Sequence, residues 1–324
     1  MAKEIIKKKA KKKQKNVCAL TGKVLPEETR YFDTNRPLPK AQGGIYTEEN
    51  TTVVDPVAHM AYHNNLRERT KAHEALKAIV DDREQKRKAY YKINNQMLAY
   101  KRKVDYLHPL TLAWLSQVSK KMAVEVKAVD KQMAKTVADF AAVDPFMASA
   151  MGVKGIGPVT LAYCAVYIDL NKAQYPSSLW KYVGLHKASH ERYVKGEPSG
   201  GNKSLRTALW TMADSQMKSG GAYRPVYDAT KKRLENSNKI TISRVFVKNK
   251  GQETGAYKLM ETPWKDTKPG HRHGAALRAM MKHFLADYWL VGRTFLGLPT
   301  PHLYAEEKLG HTQIISPAER GWVY

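Results

Sequence analysis

From Leu66 to Phe140 apolar side chains recur three and four residues apart, and a single proline, Pro109, interrupts them. That spacing lines one face of an α-helix and no face of a strand. Tyr90, Ile93, Met97, Tyr100, Val104 and Leu107 mark a first stripe. Leu115, Val118, Met122, Val126, Val129, Met133, Val137 and Phe140 mark a second, closed by Asp144-Pro145. Proline breaks the run because it lacks an N–H and its ring crowds the preceding turn. The pattern predicts two long amphipathic helices over 66–145, forming an antiparallel hairpin or coiled-coil arm, with a helical-bundle core as the alternative. The fold class that follows is mainly α.

Charge narrows the partner. Lys and Arg number 55 against 30 Asp and Glu, a formal charge of +25, and such an excess points to a polyanion. Residues 1–15 hold eight lysines and one glutamate, too few apolar groups to bury, which predicts a disordered basic arm. The remainder is still strongly basic, so the charge belongs to the folded body. With two cysteines, Cys18 and Cys164, a disulfide-stapled scaffold is excluded and a reducing compartment is expected. No apolar run approaches a membrane span and the charged start is unlike a signal peptide, so the expectation is a soluble, cytoplasmic, nucleoid-associated protein with no membrane partner.

Residues 16–65 read as a small loop-rich module: Thr21-Gly22, Pro26, Pro37, Pro39, Gly43-Gly44 and Asp55-Pro56 punctuate short strand-like segments at 44–46 and 52–54. His59 and His63 stand four apart, one helical turn, with Cys18 as a third metal-ligand candidate; ordinary surface histidines are the alternative. Farther on, Ile240, Ile242, Val245 and Val247 alternate with polar residues before Lys250-Gly251. This predicts a β-hairpin insertion at about 238–262. Residues 274–298 return to helical spacing with a wide apolar face, and 299–324 read as a proline-interrupted tail.

The sharpest local signal is Gly152-Val153-Lys154-Gly155-Ile156-Gly157-Pro158 between two helical segments, the pattern of a helix-hairpin-helix. Glycines permit a tight turn with φ > 0 and leave backbone amides open to a phosphate. Pro158 suits the first turn of the next helix, whose N-terminus adds unpaired donors. Lys154 adds full charge and Thr160 lies in the same first turn. Such a site grips backbone and reads no bases. The alternative is a glycine-rich connection that merely packs tightly. A dinucleotide fingerprint is excluded, since no strand precedes the glycines.

Downstream stand Tyr182-Val183-Gly184-Leu185, the run Lys187-Ala188-Ser189-His190-Glu191-Arg192-Tyr193 followed by Lys195, and Gly200-Gly201-Asn202-Lys203-Ser204-Leu205-Arg206. Following a Gly-Ile-Gly-Pro hairpin, this order resembles the C-terminal domain of the Piv-type, bridge-RNA-guided insertion-sequence transposases. The resemblance covers about 146–232 and 271–296. It implies a helix-hairpin-helix domain at 146–298 and a serine nucleophile, Ser189 or as second choice Ser199. It also implies acidic residues holding a divalent metal such as magnesium, and guide or other structured RNA as a partner beside DNA. No apolar-Gly-apolar-Asp strand of a RuvC-like nuclease stands upstream, and Asp81-Asp82 reads as a solvated helix face. Two-metal chemistry needs converging carboxylates.

The expected function is therefore DNA binding in transposition or recombination. Lys154, Gly155, Gly157, Thr160, Lys187, Arg192, Lys195, Asn202, Lys203, Arg206 and Arg272 are the DNA-binding candidates. Binding of this kind needs no cofactor. A serine-dependent recombinase using unrecognised carboxylates and an RNA-binding protein are the alternatives, and the helical arm offers a route to homo-oligomers. His271, His273 and His283 open a second choice between phosphate grip and metal binding, and Trp264 between base stacking and buried anchoring.

Overall fold

The computed structural model describes residues 33–35, 52–54, 56–102, 109–186, 200–248, 255–300 and 316–324. It divides the chain into two compact units, Met1–Lys71 and Ala72–Tyr324. In the first, β1 (Asp33–Asn35) pairs antiparallel with β2 (Thr52–Val54), Asp33 opposite Val54. Helix α1 (Pro56–Arg102) starts ahead of the boundary expected at residue 66. Pro56 thus opens a helix, since proline at the first helical position forfeits only an N–H that would have no partner anyway. His59 and His63 fall on α1, while their side chains, Cys18, the strand expected at 44–46 and the arm 1–15 lie outside the described residues.

In the second unit, α1 and α2 (Pro109–Val143) run antiparallel. His73 meets Phe140 edge-on, ring centroids 6.5 Å apart, and Arg83 pairs with Asp130; ten residues forward on one helix is ten back on the other. The two expected stripes differ in depth. Leu115, Val129, Met133, Val137 and Phe140 of the second are buried. In the first, Tyr90, Ile93 and Met97 are only partly covered, Tyr100 is exposed, and Val104 and Leu107 lie outside the described residues. The buried contacts of α1 come earlier, at Leu76 and Val80.

Short helices then stack around a long one: α3 (Pro145–Gly152), α4 (Pro158–Tyr167), α5 (Pro176–Val183), α6 (Lys203–Ser219), α7 (Arg224–Glu235) and α8 (Pro269–Phe295). Proline stands in the first turn of α3, α4, α5, α7 and α8, so each connection sets the next helix's entry at little cost. Asp144 caps α3, accepting from the Met147 N–H at 3.1 Å. Helix α8 is the axis of the core: Leu277, Met280, Met281, Phe284, Leu285, Tyr288, Trp289 and Val291 are all buried. Trp289 donates its indole N–H to Ala173 O at 2.6 Å. Between α7 and α8, β3 (Ile240–Lys248) pairs antiparallel with β4 (Gly255–Pro263), Ile240 opposite Pro263. The fold is mainly α with a β-hairpin, as the periodicities require.

The tail corrects the sequence reading. Residues 316–324 are docked rather than trailing: a 3-10 turn at Ala318–Arg320 delivers Trp322, 2% exposed, onto Phe146 in a near-parallel stack at 6.3 Å. Arg320 forms a two-pronged bond to Asp287 on α8, at 2.5 and 2.7 Å. No described helix is long and apolar enough to cross a membrane.

Candidate nucleic-acid interface

The helix-hairpin-helix forms from α3, a five-residue turn and α4. Val153 and Ile156, 2% and 8% exposed, are its apolar feet, and the Ile156 N–H donates to Val153 O at 3.2 Å. Between them Lys154 and Gly155 face solvent. Gly155 has φ +86°, and an added Cβ would come within 3.0 Å of Gln216 Cγ and 3.2 Å of Gly221 Cα. This glycine is required both by its conformation and by the close approach of the α6–α7 turn. Gln216 is fully buried, its side-chain Oε1 accepts from the Tyr223 N–H at 2.8 Å, and Ala222 N–H donates to Lys154 O at 3.0 Å. One turn clamps the other.

Gly157 differs. It is the N-cap of α4 with φ −85°, no side chain caps the helix, and a Cβ built there meets nothing within 4 Å. The Gly155 and Gly157 amides make no hydrogen bond among the described residues. Unbonded amides, an uncapped helix N-terminus and an exposed lysine are the kinds of group that anions meet at helix starts. By contrast α6 is self-satisfied: Asn202 Oδ1 accepts from the Leu205 N–H at 2.9 Å.

The two downstream sequence blocks meet in space. Asn202 N–H donates to Tyr182 O at 2.8 Å and its side-chain amide to Tyr182 Oη at 3.1 Å. Gly184 and Gly201, at φ +74° and +88°, cross so closely that a Cβ on Gly201 would lie 2.6 Å from Gly184 N. Arg206, expected to meet phosphate, is instead buried and donates to Val183 O and Gly200 O at 3.3 and 3.4 Å. These residues pin the ends of segment 186–200 together, and the depression beside this neck is lined by Ser178, Lys181, Tyr182, Gly201 and Asn202. Lys203, the first residue of α6, is exposed.

Sequence reasoning missed a polar junction beneath α6. Glu84, on α1, accepts from Tyr163 Oη with one oxygen and from Ser204 Oγ at 2.8 Å with the other. Arg83 donates to Asp130 and, at 3.1 Å, to Tyr163 Oη. Burial first, then the bond to Glu84, pushes the Tyr163 phenol up to about 12. Burial is the largest single influence and works against the Arg83 charge, yet the bonds to Asp130 and Tyr163 together outweigh it and leave the guanidinium's pKa raised. The available signal was Leu76, Val80 and Arg83 continuing one buried stripe into charge. Gln216 had one too: it follows Leu205, Leu209, Met212 and Ala213 on the apolar face of α6.

Other candidates take structural places. Thr160 is buried in the first turn of α4. Arg272 donates to Trp264 O and Lys265 O at 3.4 and 2.9 Å and to Thr267 O, so it closes the loop before α8 rather than standing free for phosphate. Trp264 is half-buried with its ring 5.0 Å from that of His271, and His273 Nδ1 lies 2.8 Å from Tyr227 Oη. Ser189, Ser199, Lys187, Arg192 and Lys195 lie outside the described residues. Among the described residues no three His, Cys, Asp or Glu side chains gather as metal ligands do. No protein-family model and no curated protein matches the chain.

Proposed function

We propose that this chain binds DNA by its phosphate backbone through the turn between α3 and α4, and that it does so in transposition or recombination. The observation that carries the binding is the Gly157 amide, which makes no hydrogen bond among the described residues at the uncapped start of α4, with the exposed Lys154 in the same turn. A chain of net charge +25 is drawn to a polyanion over its whole surface; the hairpin supplies a place where a phosphate oxygen can meet backbone donors directly. Recognition of this kind fixes position and register and is indifferent to sequence. The link to transposition rests on the order of the motif blocks, and a protein with this partner would work at the nucleoid.

Fluorescence anisotropy on labelled duplex DNA across a salt series tests the reading. The wild type is expected to show a steep fall of affinity with salt, and Lys154→Ala to reduce the slope by about 0.9. Affinity independent of salt, or structured RNA bound in preference to duplex DNA at every salt, would overturn it.

A further inference from the structure

The β3–β4 ribbon is left unused by this reading. Each strand is nine residues long, about 30 Å at 3.3 Å per residue. Hydrogen bonds between the ribbon's flanks hold its root: Trp264 N–H donates to Lys239 O and Lys265 N–H to Ser237 O, both at 3.0 Å. One side is partly covered, with Ser243 buried and bonded to Thr262 Oγ1 at 3.0 Å. The other side is not: Ile240, Ile242 and Leu259 are 53%, 36% and 58% exposed. Alternate residues share a face, and the register sets Ile242 opposite the exposed Glu261 on that same row. A two-stranded ribbon is marginal alone in water, and this one shows apolar residues to solvent.

Charge selects the occupant. Between Asn236 and Gly270 seven lysines and arginines stand against three acids, and Lys239, Lys258, Lys265 and Lys268 are exposed. A second copy of so basic a chain is repelled from this surface, and a polyanion is attracted. Groove shape then separates the nucleic acids. The B-DNA major groove, about 12 Å wide, admits a two-stranded ribbon and offers thymine methyls to apolar side chains, while the A-form RNA major groove is too deep and narrow to enter.

We infer that the β3–β4 ribbon enters the major groove of duplex DNA, its outward row of Ile242 and Leu259 on base edges and the lysines of its root on the flanking phosphates. This rests on the DNA-binding reading and adds to it a second point of contact, one able to sense base composition where the hairpin cannot.

Two full-length variants test it. One joins Thr241 to Thr262, which are register partners, through Asn-Gly, a pair suited to a tight hairpin turn. The other, Lys239→Ala with Lys265→Ala and Lys268→Ala, keeps the ribbon and so guards against misfolding of the first. Dimethyl sulfate, which methylates guanine N7 in the major groove, supplies the footprint, and anisotropy supplies affinity. The wild type is expected to protect guanines that the shortened protein leaves reactive. The shortened protein should bind at least about tenfold more weakly, and the lysine variant should show a salt slope smaller by about 3. Wild-type protection that survives shortening, or duplex binding with no N7 protection at all, would overturn the ribbon assignment and leave the hairpin reading standing. Absence of any duplex binding by the wild type would overturn both.

Discussion

Glu84 and Ser204 lie 120 residues apart in sequence, and the Glu84 carboxylate accepts a 2.8 Å hydrogen bond from the Ser204 hydroxyl while its other oxygen accepts from Tyr163. One side chain thereby ties the long helix α1 to α4, which carries the hairpin's second half, and to the first turn of α6.

Glu84→Ala removes the acceptor from both hydroxyls and leaves the neighbouring Arg87, 3.6 Å away, without its counter-charge. Loss of a charged acceptor from a mostly buried site costs about 2–3 kcal/mol. Urea unfolding should show the midpoint lowered accordingly, with Glu84→Gln in between because its amide oxygen still accepts.

The same junction sets an alkaline limit. A phenol whose folded pKa is raised from 10.0 to about 12 is held protonated by the fold. Its stabilising contribution is complete below about pH 10 and is lost as pH climbs toward 12. Tyr223 and Tyr288 are pushed upward as well, chiefly by burial. Melting temperature is expected to fall across that window, and Tyr163→Phe to flatten part of the fall, in thermal melts followed by circular dichroism.

The docked C-terminus is structural. Asp287 and Arg320 are both nearly inaccessible, so Arg320→Ala strands a buried carboxylate that also accepts from Tyr223 Oη at 2.6 Å, a change of about 3–5 kcal/mol. Trp322→Ala, by emptying a packed site, should cost a similar amount, about 3–5 kcal/mol. Chemical denaturation of both variants checks this; an unchanged midpoint would mean that the clasp is not held in solution.

The helices and the hairpin were legible because periodicity and glycine carry their own physics. Pro109 and the stripe from Leu115 to Phe140 mark α2 without tertiary information, and Gly155 announces a left-handed turn. The carbonyl-capping roles of Arg206 and Arg272 were not legible, since an arginine that caps carbonyls and one that grips phosphate look alike until the carbonyls are placed. Trp322 was missed for a related reason: the Pro299–Pro301 region hides the fact that nine residues at the end return to the core. Glu84 was passed over beside Asp81-Asp82, where only depth along the helix separates a solvated carboxylate from a buried one.

Gly155 and Gly157 separate fold from function within one turn. Gly155 has positive φ and tight neighbours, so any side chain there perturbs structure. A side chain on Gly157 enters open space at an ordinary φ, next to the amide proposed to meet phosphate.

The most direct test is Gly157→Val, measured by thermal melt and by anisotropy on duplex DNA at low salt. The account predicts a melting temperature within about 2 °C of wild type, as for a surface change, together with affinity reduced about tenfold or more, the loss of one charge-assisted backbone contact. Unchanged melting with unchanged affinity would contradict it, for then the amides of the hairpin touch no phosphate.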